Sequence, residues 1–235
     1  MMLQRFAYSE FANPLFGDRV LMAWADPRAP MARLIGDEVL AIEHEGAVRA
    51  RQFGAGRAAA HAAMEQLGHV PRPVLQGTAQ APIWPPGMTG SISHTDRDSL
   101  AVVSDEPDIL ALGLKIGTAT GLEPARWPEV SRIAEMHWLA SLGPSQRGHF
   151  AMLLKCIKEA AYKAQFQITE TAITYQDIEV TIDLGRNFFK GFLLPDLPGI
   201  GANRPFAGRF ALLSDCFVAG VEWRNQAESN HVLAR

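Results

Sequence analysis

Lys155, Glu159 and Lys163 are spaced four apart and set one carboxylate between two amines, with Lys158 next to the carboxylate. Residues at that spacing share a helix face. Two chemistries fit. Ion pairs at i,i+4 can tie a solvated face together, each stabilising by about 0.2–0.5 kcal/mol. Alternatively, Glu159 holds Mg²⁺ while Lys158 and Lys163 approach phosphates, since Mg²⁺ is commonly shared between carboxylates and substrate phosphates. Upstream, Gly90-Ser91-Ile92-Ser93-His94-Thr95 puts hydroxyl and imidazole groups at the end of an expected strand. Adjacent strand residues point to opposite faces, so Ser93 and His94 do not make a nucleophile–base pair. The chain also lacks a G-x-S-x-G elbow. Ser93 and His94 read as donors to an anion; a core histidine with a backbone partner is the competing reading. Arg51-Gln52-Phe53-Gly54-Ala55-Gly56-Arg57 reads as the opening of a helix, where amides and the dipole favour phosphate and Arg51 and Arg57 add charged donors. Ordinary surface arginines fit there equally well. Gly199-Ile200-Gly201 has no helix to open and reads as a turn.

These groups need a scaffold. The 235 residues suffice for one large domain or two small ones, with a substantial core. The apolar and charged fractions, 48% and 20%, are those of a globular protein rather than a disordered one. A net charge of -3 gives no global field for nucleic acid, so an anion site must be built locally. The two cysteines, Cys156 and Cys216, have no CxxC spacing, which argues against a disulfide framework or a zinc site and fits a reducing compartment. No signal-peptide h-region or membrane-length apolar run is visible, so a cytoplasmic protein without membrane contact is expected.

Short strands are expected at Val20–Trp24 and Glu38–Ile42, and a helix from Gly56 to Leu67, stopped by Gly68. Pro71–Pro86 reads as a loop. Gly90–Thr95 and Leu100–Ser104 read as a hairpin, followed by a strand at Leu110–Ile116. Helices are expected over Trp127–Leu142 and Ser145–Phe166, broken by Gly143-Pro144, with Leu153, Ile157, Ala160 and Ala164 forming an apolar stripe. Strands at Ile173–Ile182, Phe188–Leu193, Phe206–Leu213 and Phe217–Trp223 close the chain, and the last dozen polar residues are expected to fray. The pattern is α+β, with two similar halves, 1–108 and 109–235, each setting helices against a small, mostly antiparallel sheet.

The motifs occur in a telling order. Phe53-Gly54-Ala55-Gly56-Arg57-Ala58-Ala59-Ala60, Ala81-Pro82-Ile83-Trp84-Pro85, Gly90 to Thr95, Leu112-Gly113-Leu114 and Lys158-Glu159-Ala160-Ala161-Tyr162-Lys163 together resemble the 4′-phosphopantetheinyl transferases. The branch most similar in pattern serves enterobactin-type siderophore synthetases. The resemblance implies a monomer of two similar halves with coenzyme A between them. It implies transfer of phosphopantetheine to a serine of an acyl or peptidyl carrier protein, releasing 3′,5′-ADP. It also implies roles for particular residues. Arg51, Arg57, Ser93 and His94 would contact coenzyme A phosphates, Glu159 would ligate Mg²⁺, and Lys158 and Lys163 would sit near the pyrophosphate, with Lys163 stabilising developing charge.

One strand departs from the family pattern Gly-Ile/Val-Asp-x-Glu. Here it reads Gly113-Leu114-Lys115-Ile116-Gly117, so Lys115 replaces the aspartate and Gly117 the glutamate. Two negative charges are lost and a positive one is gained, which disfavours Mg²⁺. The family aromatic before the Ser/Cys position is Lys155 here, and Gln80 and Ala81 stand where a basic residue precedes Pro-x-Trp-Pro. Three readings follow: a transferase in which Lys115 supplies the positive charge facing pyrophosphate, a catalytically impaired relative that binds coenzyme A or a carrier protein, and an enzyme for another phosphate-containing substrate.

Overall fold

The computed structural model describes residues 5–6, 15–213 and 215–225. Along the chain run β1 (Arg5–Phe6), β2 (Leu21–Ala25), α1 (Ala47–Gln66), β3 (Leu75–Gln76), β4 (Pro82–Ile83), β5 (Thr89–His94), β6 (Ser99–Ser104) and β7 (Ile109–Thr118). Then follow α2 (Trp127–Val130), α3 (Ile133–Ser141), α4 (Pro144–Thr169), β8 (Ile178–Asp183), β9 (Phe188–Leu193), β10 (Arg204–Leu213) and β11 (Cys216–Arg224). The fold is α+β. It groups into two units, one built on Gly17–Leu112 and the other on Gly113–Glu222, so the division falls inside β7 rather than after residue 108. Nearly all of the terminal stretch expected to fray lies outside the described residues.

The Gly17–Leu112 unit lays α1 on the antiparallel sheet β2-β6-β5. Ala59, Ala60, Ala63 and Met64 of α1 pack with Ala101 and Val103 of β6, and these small side chains let helix and sheet approach closely. Two expectations fail here. The helix begins at Ala47, nine residues before Gly56. Gly54 and Gly56 are interior positions, needed because a Cβ at either would come within 2.9 Å of Met31 or Ile92 respectively. Glu38–Ile42 is not a strand but part of a 3-10 helix, Gly36–Ile42. Glu38 organises it: its fully buried carboxylate accepts the backbone N–H groups of Ile35 (2.8 Å) and Val74 (2.8 Å) and lies 2.9 Å from His61 Nε2. Burial works against its charge, but these hydrogen bonds outweigh that and hold its pKa below the usual carboxylate value.

The Gly113–Glu222 unit sets α4 beside a sheet ordered β7-β11-β10-β9-β8, with β1 added parallel to β10. Leu153, Ile157, Ala160 and Ala164 are fully buried, as their stripe requires. The helix expected over Trp127–Leu142 is two, α2 and α3, broken at Ser131-Arg132. The Gln176 side-chain amide donates to the carbonyls of Pro128 and Ser131 (2.9 and 3.1 Å), while Glu135 accepts the Arg132 N–H (2.7 Å) and starts α3. The strand expected from Ile173 begins only at Ile178, because Tyr175–Asp177 forms a 3-10 turn capped by Thr174. Gly113 sets the spacing of β7 and α4: a Cβ there would lie 1.9 Å from the Ala160 carbonyl oxygen. No described helix is long and apolar enough to cross a membrane.

Candidate functional site

Strand periodicity puts residues 113, 115 and 117 on one face of β7. Gly113 admits the α4 backbone, and at Gly117 a Cβ would come within 2.6 Å of the Cys156 sulfur. That face therefore looks at α4, and Lys115, between the two glycines, reaches across. Its Nζ lies 2.6 Å from Glu159 Oε2. The other carboxylate oxygen, Oε1, accepts from Lys155 Nζ (2.5 Å) and from the Tyr175 hydroxyl (2.7 Å). Lys155 and Glu159 are the i,i+4 pair expected from the helix spacing. Tyr175 comes from the 3-10 turn and was not marked by any motif.

Electrostatics follow from this contact set. Burial opposes ionisation of Glu159, but Lys115 and Lys155 outweigh it and pull the carboxyl down to about 2. Glu159 is therefore a fixed negative charge with both oxygens engaged. Burial, and then Glu159 itself, push the Tyr175 hydroxyl far up, so it stays a neutral donor. Lys163, one turn on and half-buried, is lowered to about 7 by burial and by the Lys115 ammonium, with Glu159 opposing. Burial raises the Cys156 thiol to about 12, so it stays protonated and serves as packing. Nearby, Arg126 and Glu129 form their own exposed pair. Lys115 and Lys155 thus set two ammonium groups against the single carboxylate of Glu159, a local surplus of positive charge.

Lys158 departs from its expected role. Adjacent helix residues are separated by about 100° around the axis, so Lys158 cannot share the face of Glu159. It is fully buried, donating to Glu135 Oε2 (2.7 Å) and to the Tyr175 carbonyl (2.9 Å), while Glu135 Oε1 accepts the Val180 N–H (2.9 Å). Burial lowers the Lys158 pKa against the pull of Glu135. The geometry is that of a structural ion pair binding α3, α4 and β8, not of a phosphate contact.

Arg51, Arg57, Ser93 and His94 belong to the Gly17–Leu112 unit. Arg51 and Arg57 sit within α1, not at its start, so the helix-opening amides expected to aid them are absent. Arg57 is buried, donates to the carbonyls of Val74 (2.6 Å) and Leu75 (3.2 Å), and stacks 4.1 Å from the Phe53 ring centre. Burial lowers it to about 10. It holds backbone rather than presenting a free fork to an anion. Arg51 is exposed and lines a cleft of about 470 Å³ with Arg28, Gln52 and Asp96. At the end of β5, Ser93 is buried and His94 half-buried.

The Glu159 cluster does not fit Mg²⁺. That ion demands a near-octahedral set of oxygens at about 2.0–2.1 Å. Here both carboxylate oxygens are taken by ammonium and hydroxyl donors, two lysines would repel a dication, and the second anionic position is a glycine backed by the Cys156 thiol. Among the described residues, no group of three or more His, Cys, Asp or Glu side chains is arranged to hold a metal.

Comparison with known proteins adds identity to this geometry. Residues 37–104 match the 4′-phosphopantetheinyl transferase N-terminal domain. The chain is 30% identical over 188 residues to 4′-phosphopantetheinyl transferase Svp of Streptomyces mobaraensis, covering 79% of this chain and 76% of that protein. It is 30% identical over 160 residues to 4′-phosphopantetheinyl transferase PptT of Mycobacterium tuberculosis, covering 68% and 69%. It is 32% identical over 143 residues to enterobactin synthase component D of Escherichia coli K12, covering 58% and 65%. On the extent of the match to Svp, the chain belongs to the 4′-phosphopantetheinyl transferase family.

Proposed function

We propose that this protein, as a monomer, transfers the phosphopantetheine arm of coenzyme A to a serine of an acyl or peptidyl carrier protein. The observation that supports this most directly is the surplus of ammonium groups around Glu159, carried by the family's Lys-Glu-x-x-x-Lys helix and by β7. In this reading the serine oxygen forms a bond to the β-phosphorus of coenzyme A. The bond from that phosphorus to the bridging oxygen breaks, 3′,5′-ADP leaves, and the serine proton passes to solvent. Charge stays on phosphoryl oxygens throughout, so catalysis consists of positioning and electrostatic stabilisation.

Lys115 and Lys163 face the phosphoryl oxygens in this scheme, and Glu159 holds Lys115 and Lys155 in place. This reading assigns anion contacts to Arg51, Ser93 and His94 of the Gly17–Leu112 unit, while Arg57 and Lys158 support the backbone. The test is intact mass spectrometry of an apo carrier protein incubated with this protein and coenzyme A, with and without Mg²⁺. A gain of one phosphopantetheine mass is expected. No gain under either condition, with coenzyme A still bound, would replace transfer by binding alone.

A further inference from the structure

We infer that the Lys115–Glu159–Lys155 cluster is a diphosphate-binding site whose counter-charge is built into the chain, so that it takes a pyrophosphate group without a divalent cation. The inference rests on the transferase reading only for the source of the diphosphate, coenzyme A; the binding chemistry stands on the cluster itself.

Three observations converge on it. First, the charges do not balance locally. Lys115 and Lys155 share one carboxylate, each through a short contact, and the neighbouring Arg126 already has Glu129. A partly buried surplus of ammonium groups favours an anion, and desolvated charge pairs are screened less than surface ones. Second, the site is partly open. The side chains of Lys115, Lys155 and Glu159 keep 22%, 18% and 20% of their exposure, so a ligand oxygen can reach ammonium protons that Glu159 does not use. An ammonium has three donors, and each lysine spends one on the carboxylate. Third, the position where β7 would offer another carboxylate is closed to one: a Cβ at Gly117 meets the Cys156 sulfur at 2.6 Å. The same strand thus gains a fixed cation and loses room for a cation's ligand.

Glu159 is a positioning residue here. It aims two flexible lysine side chains at one place, and the Tyr175 hydroxyl donates to the same carboxylate oxygen as Lys155. Held ammonium groups lose less freedom on binding than free ones, which raises affinity without a new contact.

The test is calorimetric titration of inorganic pyrophosphate into the full chain, in buffer with EDTA and in buffer with Mg²⁺. Binding in EDTA should be at least as tight as in Mg²⁺. Lys115→Met should weaken it tenfold or more, while Lys115→Arg should keep most of it. The methionine variant keeps an unbranched chain on the face of β7 that packs against α4, between Gly113 and Gly117. Should it nevertheless lose its fold by circular dichroism, Lys155→Met carries the same expectation. Glu159→Gln should weaken binding less than Lys115→Met and raise the salt dependence, a change that a purely structural carboxylate would not produce. Binding seen only with Mg²⁺, binding in EDTA indifferent to both lysine variants, or no binding at all would each overturn the inference. Mass transfer to a carrier protein that requires Mg²⁺ would overturn it while leaving the transferase reading intact. Pyrophosphate binding in EDTA without mass transfer would support it and remove that reading.

Discussion

Helix α4 carries two lysine–glutamate associations one residue apart, and they are balanced differently. On one side, Lys158 meets Glu135 in full burial, and the carboxylate also accepts the N–H groups of Arg132 and Val180. On the other, Glu159 meets two lysines and a tyrosine hydroxyl in a setting that keeps some contact with solvent. The first set is closed: one charge of each sign, every carboxylate oxygen taken by fixed donors of the fold. The second has more cation than anion and an open side. The same residue types therefore do different work, and the ratio of charges together with exposure separates scaffold from site.

The largest effect should come from the closed pair. Glu135→Ala would leave Lys158 buried without its carboxylate, and loss of about 3–5 kcal/mol of unfolding free energy in urea is expected. Adding Lys158→Met should recover much of it. A loss below about 1 kcal/mol would mean that Lys158 finds another partner and that the two associations are alike.

A design test bears on the open pair. Lys115→Asp with Gly117→Glu and Cys156→Ala should create Mg²⁺ binding visible by calorimetry, and none is expected of the native chain. Without Cys156→Ala the gain should be weaker, because the new side chain at 117 meets the thiol. An absence of Mg²⁺ binding in the triple variant would show that β7 and α4 are not spaced for a shared ligand.

A further test concerns pH. Lys163 falls from an ordinary 10.5 to about 7 in the folded protein. Between those values the unfolded chain binds more protons than the folded one, so stability contributed by this group rises with pH across that window. Below about 7 both states are protonated and the deficit is complete. The stability of the native chain minus that of Lys163→Met should therefore climb from pH 7 toward 10.5. A flat difference would mean that Lys163 is neither desolvated by burial nor repelled by Lys115.

Local pattern made much of this readable. The stripe Leu153, Ile157, Ala160 and Ala164 fixed the buried face of α4, and the β5–β6 hairpin follows from its turn residues. Lys155 and Glu159 pair as helix spacing demands. Partners distant in sequence were not readable. Glu135 is 23 positions from Lys158 and Tyr175 is 16 from Glu159, and no periodicity links either pair. Arg57 departs from its expected place for a related reason. Gly54 and Gly56 resembled a helix start, whereas they answer to Met31 and Ile92, which only the fold brings near. Glu38 likewise looked like a strand residue until His61 and two distant amides claimed its oxygens.

Cys156, wedged where β7 has Gly117, carries one more consequence. Its sulfur is fully buried and its proton tightly held, so alkylating reagents in solution have nothing to attack while strand and helix stay together. The labelling rate at this atom, read by peptide mapping, therefore clocks how often α4 lifts away from β7, and a ligand that bridges the two should slow that clock.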